Sequence, residues 1–133
     1  MQRDPEWVAE VSEWLGKSND DRRASRILLD ADSSLAGVAL YHCQQAAEKA
    51  LKGFLVWHGQ IIRKTHDLEQ IGMEVTAIDP TMAPFVEAAV PLSTFAWLVR
   101  YPGSDVVPDE GMIDQGMQAA VAIFTAIRQR IFP

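Results

Sequence analysis

The chain has 133 residues, 48% of them hydrophobic, with 18 Asp and Glu against 12 Lys and Arg for a net charge of −6. This length and apolar content predict one domain, residues 1–133, with a real core, and exclude a disordered tail. The negative balance argues against indiscriminate nucleic-acid binding.

Taken in order, the chain reads as helices throughout. Asp4-Pro5-Glu6 is a start signal, with Asp as N-cap and Pro in the first turn. Trp7, Val11, Trp14, Ile27 and Leu28 supply apolar positions for a long first helix to about Asp30. Gly16 and the polar run Lys17 to Asp21 predict a bend or break in its middle. Asp32-Ser33-Ser34 reads as a short connection whose serines cap a second helix running to about His58. In that helix Ala39, Cys43, Ala46, Ala47, Ala50, Leu51, Phe54 and Leu55 recur at spacings of three and four, a buried stripe. Gly59 is a natural stop.

Gln60 to Lys64 is a loop. Thr65 is expected to cap a third helix that contains Leu68, Ile71 and Met73, with Asp67 favourably placed in its first turn. Asp79-Pro80-Thr81 opens a fourth segment, in which Pro84 fits only near the start and Pro91 kinks or divides the helix. Leu92, Phe95, Trp97 and Leu98 read as core or interface, and Tyr101-Pro102-Gly103-Ser104 as a turn. Pro108-Asp109-Glu110 starts the last helix, with a stripe of Met117, Ala120, Val121, Phe124 and Ile127 and with Arg128 and Arg130 in the last turn. The fold class is all-α, an up-and-down bundle of four to five antiparallel helices.

The lone cysteine, Cys43, excludes an internal disulfide framework, fits a reducing cytoplasm and reads as an inert core thiol. The polar, acidic start from Met1 to Glu10 does not read as a signal peptide, and no apolar run approaches the roughly 18 residues of a membrane span. No metal is expected. His42 and His58 are sixteen residues apart on one helix and point to different sides, and no Cys/His cluster or HExxH motif occurs. There is also no Gly-rich phosphate loop and no nucleophile elbow.

Charge is unevenly spread. Residues 22–66 hold seven Lys and Arg against three carboxylates, a local +4, and the rest carries −10. Within this basic stretch, residues 41–52 set an Ala/Leu seam beside Gln45, Glu48, Lys49 and Lys52. Lying within two turns, these four share one side of the helix. Two readings stand. In one, Lys49 and Lys52 hold phosphate while Gln45 and Glu48 read polar edges. In the other, all four form an ion-pair and hydrogen-bond network to neighbouring helices or a second subunit. His66 suits either acid–base or phosphate work, or a structural bond to the Gln/Glu ridge. Arg63 and Lys64, just before a helix N-terminus, suit an anion site or a solvated loop equally. The four tryptophans, Trp7, Trp14, Trp57 and Trp97, suit core packing or a dimer interface.

The order Ala39-Leu40-Tyr41-His42-Cys43-Gln44-Gln45-Ala46-Ala47-Glu48-Lys49-Ala50-Leu51-Lys52, then Gly59, then Thr65-His66-Asp67-Leu68, then Arg100-Tyr101-Pro102, resembles the HEPN domain family over roughly Trp14 to the C-terminus. The resemblance implies a helical bundle, commonly a homodimer, often acting with a minimal nucleotidyltransferase. Some members are ribonuclease toxins of toxin–antitoxin pairs, and some bind nucleotides. The ribonuclease branch carries an Arg with a His four to six residues later. Here Arg63 and His66 are three apart, and Lys52, which precedes His58, lacks the permanently charged fork of Arg, so no catalytic residue carries over. A second departure is Arg22 after Asp21, where family members often have Leu.

The candidate ligand-binding set is therefore Gln45, Glu48, Lys49, Lys52, Arg63, Lys64, His66, Asp67, Arg100 and Tyr101, with Arg100 expected to reach Glu48, Asp67 or a bound phosphate. The expected function is a non-catalytic module with no cofactor. It would be a homodimer that binds a nucleotide, RNA or another phosphate-bearing ligand and pairs with a nucleotidyltransferase-like partner. The alternatives are a ribonuclease toxin with a displaced site at Arg63, His66 and Arg100, or a structural oligomerising adaptor.

Overall fold

A computed structural model describes residues 3–133. The elements are α1 (Pro5–Ala31), α2 (Ala36–Trp57), α3 (Leu68–Ile78), α4 (Ala83–Ala89), α5 (Pro91–Leu98) and α6 (Glu110–Ile131), with 3-10 turns at Ser33–Leu35 and Pro80–Met82. Among the described residues there is no strand. Over the described residues the protein is an all-α bundle of five helical segments, the fourth divided into α4 and α5 where Pro91 cannot donate to the helical ladder.

The second helix lies at the centre, packed on α1, α3, α5 and α6. Its small residues explain how. Ala39, Ala46, Ala47 and Ala50 are fully or almost fully buried, and a Cβ on Gly53 would stand 3.1 Å from Trp14 Cβ. Neighbouring backbones approach closely, and Leu40, Leu51, Phe54, Ile71, Leu92, Ile123 and Ile127 fill the space between. At the end of α2, Gly59 adopts φ +74°, while its N–H and that of Gln60 bond Val56 O and Leu55 O, a Schellman stop.

Several local expectations are corrected. The first helix is continuous through Gly16 to Asp21. The polar run does not break it because Ser18, Asp21 and Ser25 are buried in the α1–α2 seam, where the Ser18 hydroxyl donates to Ala46 O at 2.6 Å. Tertiary contacts outweigh the weak local propensity. Asp32, not the serines, accepts the Ser34 N–H, and α2 has no side-chain cap. Asp67, not Thr65, is the N-cap of α3, accepting from Glu69 N, while Thr65 Oγ1 accepts from Asp67 N one step earlier. Ile27, Met73 and Val121, expected on apolar stripes, are exposed; the buried stripe of α6 runs through Gly116, Ala119, Ala120, Ile123, Ala126, Ile127 and Ile131.

Trp7, Trp14 and Trp57 pack against the core, and Trp97 does not. No helix among the described residues is long and apolar enough to cross a membrane.

Candidate functional site

The polar side of α2 is not a solvated ridge. At about 100° per residue, Gln44, Glu48, Tyr41, Lys52 and Gln45 span one arc, and Lys49 and His42 lie at its edge toward α1. That arc divides the candidate residues between two places.

At the α1 edge, the Asp21 carboxylate accepts from Lys49 Nζ at 2.5 Å and lies 2.8 Å from His42 Nδ1. Lys49 therefore faces a hollow lined with Glu10, Glu13, Trp14 and Lys17 rather than sharing a site with Gln45.

On the opposite edge, Glu48 is buried with its side chain 4% exposed. A carboxylate taken out of water requires compensation. Three donors provide it: Lys52 Nζ at 3.1 Å, itself buried, Gln44 Nε2 at 3.1 Å and His66 Nδ1 at 2.9 Å. Gln44 Nε2 also donates to His66 O at 3.3 Å, so side chain and backbone together tie the loop before α3 to α2. No buried side-chain nitrogen or oxygen among the described residues lacks a partner. The carboxylate fixes the imidazole with Nδ1–H inward. Nε2 has no partner among the described residues, and the His66 side chain is 78% exposed.

Above this network opens a groove of about 390 Å³ between α2, α5 and the His66 loop, lined by Tyr41, Gln44, Gln45, His66, Ser93, Ala96, Trp97 and Arg100. The Arg100 guanidinium stacks 4.2 Å from the Tyr41 ring centroid and 5.3 Å from that of Tyr101. It does not reach Glu48 or Asp67, and among the described residues no carboxylate lies within ion-pair distance of it. Tyr101 stacks on Trp97 with centroids 4.8 Å apart, an exposed aromatic pair at the rim.

The structure thus brings together Gln45, Glu48, His66 and Arg100, with Tyr101 beside them. Lys52 is sequestered on Glu48, Lys49 on Asp21, and Arg63 pairs with Glu74 on α3 at 3.4 Å. Lys64 is exposed and outside the groove lining, and Asp67 serves as a cap. Sequence reasoning missed Tyr41, Gln44, Ser93 and Trp97. Gln44 was signalled by standing one turn before Glu48 and Tyr41 by standing one turn before Gln45, whereas Ser93 and Trp97 depend on how α5 crosses α2.

The remaining perturbed groups lie elsewhere. Burial pushes the Cys43 thiol up to about 11, next to Met117 Sδ at 3.4 Å. Burial, with the Arg3 charge, lowers His58, whose ring packs on Phe54. No group of three His, Cys, Asp or Glu among the described residues is arranged to hold a metal.

These features define an all-α domain with a polar, aromatic-edged groove on its central helix. The family model for the HEPN domain matches residues 11–130, nearly the whole chain, and the protein belongs to the HEPN domain family. No curated protein and no solved structure shows a significant match.

Proposed function

We propose that this HEPN domain is a non-catalytic, dimeric module of the reducing cytoplasm that binds a nucleotide or another phosphate-bearing ligand in the α2–α5 groove. We further propose that it pairs with a nucleotidyltransferase-like protein, as in a toxin–antitoxin system. One observation carries the ligand half. Arg100 is the groove's cation without a carboxylate partner, while Lys49 and Lys52 are spent on Asp21 and Glu48. A guanidinium free to fork onto phosphate oxygens, beside an oriented imidazole and the faces of Trp97 and Tyr41, suits a phosphate joined to a planar base.

The dimer half rests on apolar exposure. Val38, Trp97, Tyr101, Val106 and Val107 are all exposed around Arg100 and the loop after α5, a concentration of side chains that interfaces favour.

Calorimetric titration with ATP, GTP and short RNA tests the ligand. Binding by the wild type and a loss of about tenfold or more in Arg100→Gln is expected, as for a charge-assisted hydrogen bond. Folded protein that binds none of them at millimolar concentration removes the ligand. A strict monomer in sedimentation over a wide concentration range removes the dimer.

A second reading, a ribonuclease with a displaced site, is favoured by the Glu48–His66 pair, since a carboxylate-oriented imidazole with free Nε2 beside an arginine suits general acid–base work. Arg63, paired to Glu74, plays no part in it. Induced expression in bacteria discriminates: growth arrest and RNA cleavage that disappear in His66→Ala support this reading, and normal growth with intact RNA rejects it.

A further inference from the structure

We infer that the groove selects bases bearing an exocyclic amine, adenine first, over their keto counterparts, and that a hydrogen-bond relay from buried Glu48 through Gln44 sets this choice at Gln45. The inference rests on the nucleotide reading above and names the class of base.

The polarity of the relay follows from chemistry. A carboxylate only accepts, so the amide nitrogen of Gln44 must face Glu48. Both its N–H groups are used there, one on Glu48 Oε1 at 3.1 Å and one on His66 O at 3.3 Å. The Gln44 oxygen is left facing outward, and Gln45 meets it with Nε2 at 2.8 Å. One N–H of Gln45 is consumed. Its Oε1 and second N–H have no partner among the described residues, and the side chain lines the groove.

A solitary surface glutamine turns over at little cost and reads either polarity. This one is held. Turning Gln45 would set two oxygens against each other at hydrogen-bond distance, and turning Gln44 would set an oxygen against the Glu48 carboxylate. Gln45 therefore presents an acceptor and a donor side by side in fixed order. Adenine offers the complement on its N1 edge, the N6 amine beside the N1 acceptor, the same donor–acceptor pairing by which a glutamine reads N6 and N7. A 6-keto purine in the same pose puts an oxygen against Gln45 Oε1.

The pose is constrained from the other end. Gln45 lies one helical turn, about 6 Å along the axis, from Tyr41, the ring on which Arg100 stacks. Both Arg100 and Gln45 line the one groove, so a phosphate held by Arg100 with its base edge at Gln45 would set which way round the base arrives. Gln44 is a positioning residue, and its signature is a selectivity ratio rather than an affinity.

The test is calorimetric titration of the full chain with AMP and IMP, which differ at the 6-position. Wild type is expected to prefer AMP by about tenfold, the scale of one hydrogen bond gained against one acceptor clash. In Gln44→Met the relay is cut, Gln45 is free to turn, and the two ligands bind within about twofold, a difference below one net hydrogen bond. Gln45→Leu, at a half-buried position, gives the same levelling and serves if Gln44→Met fails to fold. IMP binding as well as or better than AMP in the wild type overturns the inference. An AMP preference that persists in Gln44→Met overturns the relay. Neither nucleotide binding at millimolar concentration removes the groove reading itself, a different result from unselective binding.

Discussion

Glu48→Leu tests how the site is held together. Glu48 and Lys52 are buried together, with side chains 4% and 8% exposed. Removing the carboxylate strands an ammonium inside the bundle and releases Gln44 and His66, so the expected loss is about 3 kcal/mol, at the lower end for breaking a buried pair. Unfolding entropy of about 2.1 cal/mol/K per residue over this chain turns that into a Tm drop of roughly 10 °C. Lys52→Met leaves Glu48 with two donors and keeps an unbranched apolar stem in the same space. It should cost about 1–2 kcal/mol.

The decisive variant is the double one. With Leu and Met facing each other, no charge is stranded, and His66 turns to water. The expected loss is about 1–2 kcal/mol, below that of Glu48→Leu alone, giving a coupling of at least about 2 kcal/mol. Urea denaturation with unchanged m-values supplies the four stabilities of the cycle. A double variant whose loss equals the sum of the singles, within about 0.5 kcal/mol, would refute the claim that these two groups compensate each other.

Two further outcomes follow from perturbed groups. The Asp79 carboxyl is held below its ordinary value of 3.8, chiefly by the Thr81 hydroxyl, with smaller help from the Thr81 backbone N–H and Arg130. A depressed folded-state value means stability present above the ordinary value and lost as the carboxyl protonates; Asp79→Asn should be less stable than wild type at pH 6, with the gap closing below about pH 4, read by thermal melts across pH. Cys43, with its thiol pushed up to about 11 by burial, should react with a disulfide reagent at pH 8 only after denaturant is added, and rapid labelling of native protein would contradict its placement.

What the sequence made legible was mostly local. Asp4-Pro5, Gly59, Pro91 and Asp109 carry their structural consequence in their own backbone chemistry, and each acts at an element boundary. Gln45 was legible as a candidate because polar groups beside an Ala/Leu seam need partners, His66 from its place in Thr65-His66-Asp67-Leu68, and Arg100 chiefly through the resemblance carried by Arg100-Tyr101-Pro102. Where the lysines would go was not. Lys49 looked like a groove cation until Asp21, 28 residues earlier, took it, and that pairing depends on α1 staying helical through a run whose propensity argues for a break. Trp97 could not be assigned either, since its exposure follows from how α5 crosses α2.

The two ends of the polar arc obey one rule with different results. On each side a carboxylate in the packed seam is compensated by a lysine and a histidine Nδ1: Asp21 by Lys49 and His42, Glu48 by Lys52 and His66. On the α1 side a 27-residue helix covers the set, and His42 stays three-quarters buried. On the other side the irregular segment between Gly59 and Asp67 brings His66 to Glu48, and His66 stands in solvent. The groove thus opens over a buried charge where a loop, rather than a long helix, meets α2 opposite the wall formed by α5. The charge must be compensated for the bundle to fold, and the groups that compensate it, Gln44 and His66, are those that line the opening. Changing the site without changing stability is therefore feasible at Arg100, which stacks on Tyr41 outside the network, and at Gln45, which leans on it, and not at Glu48, on which the network is built.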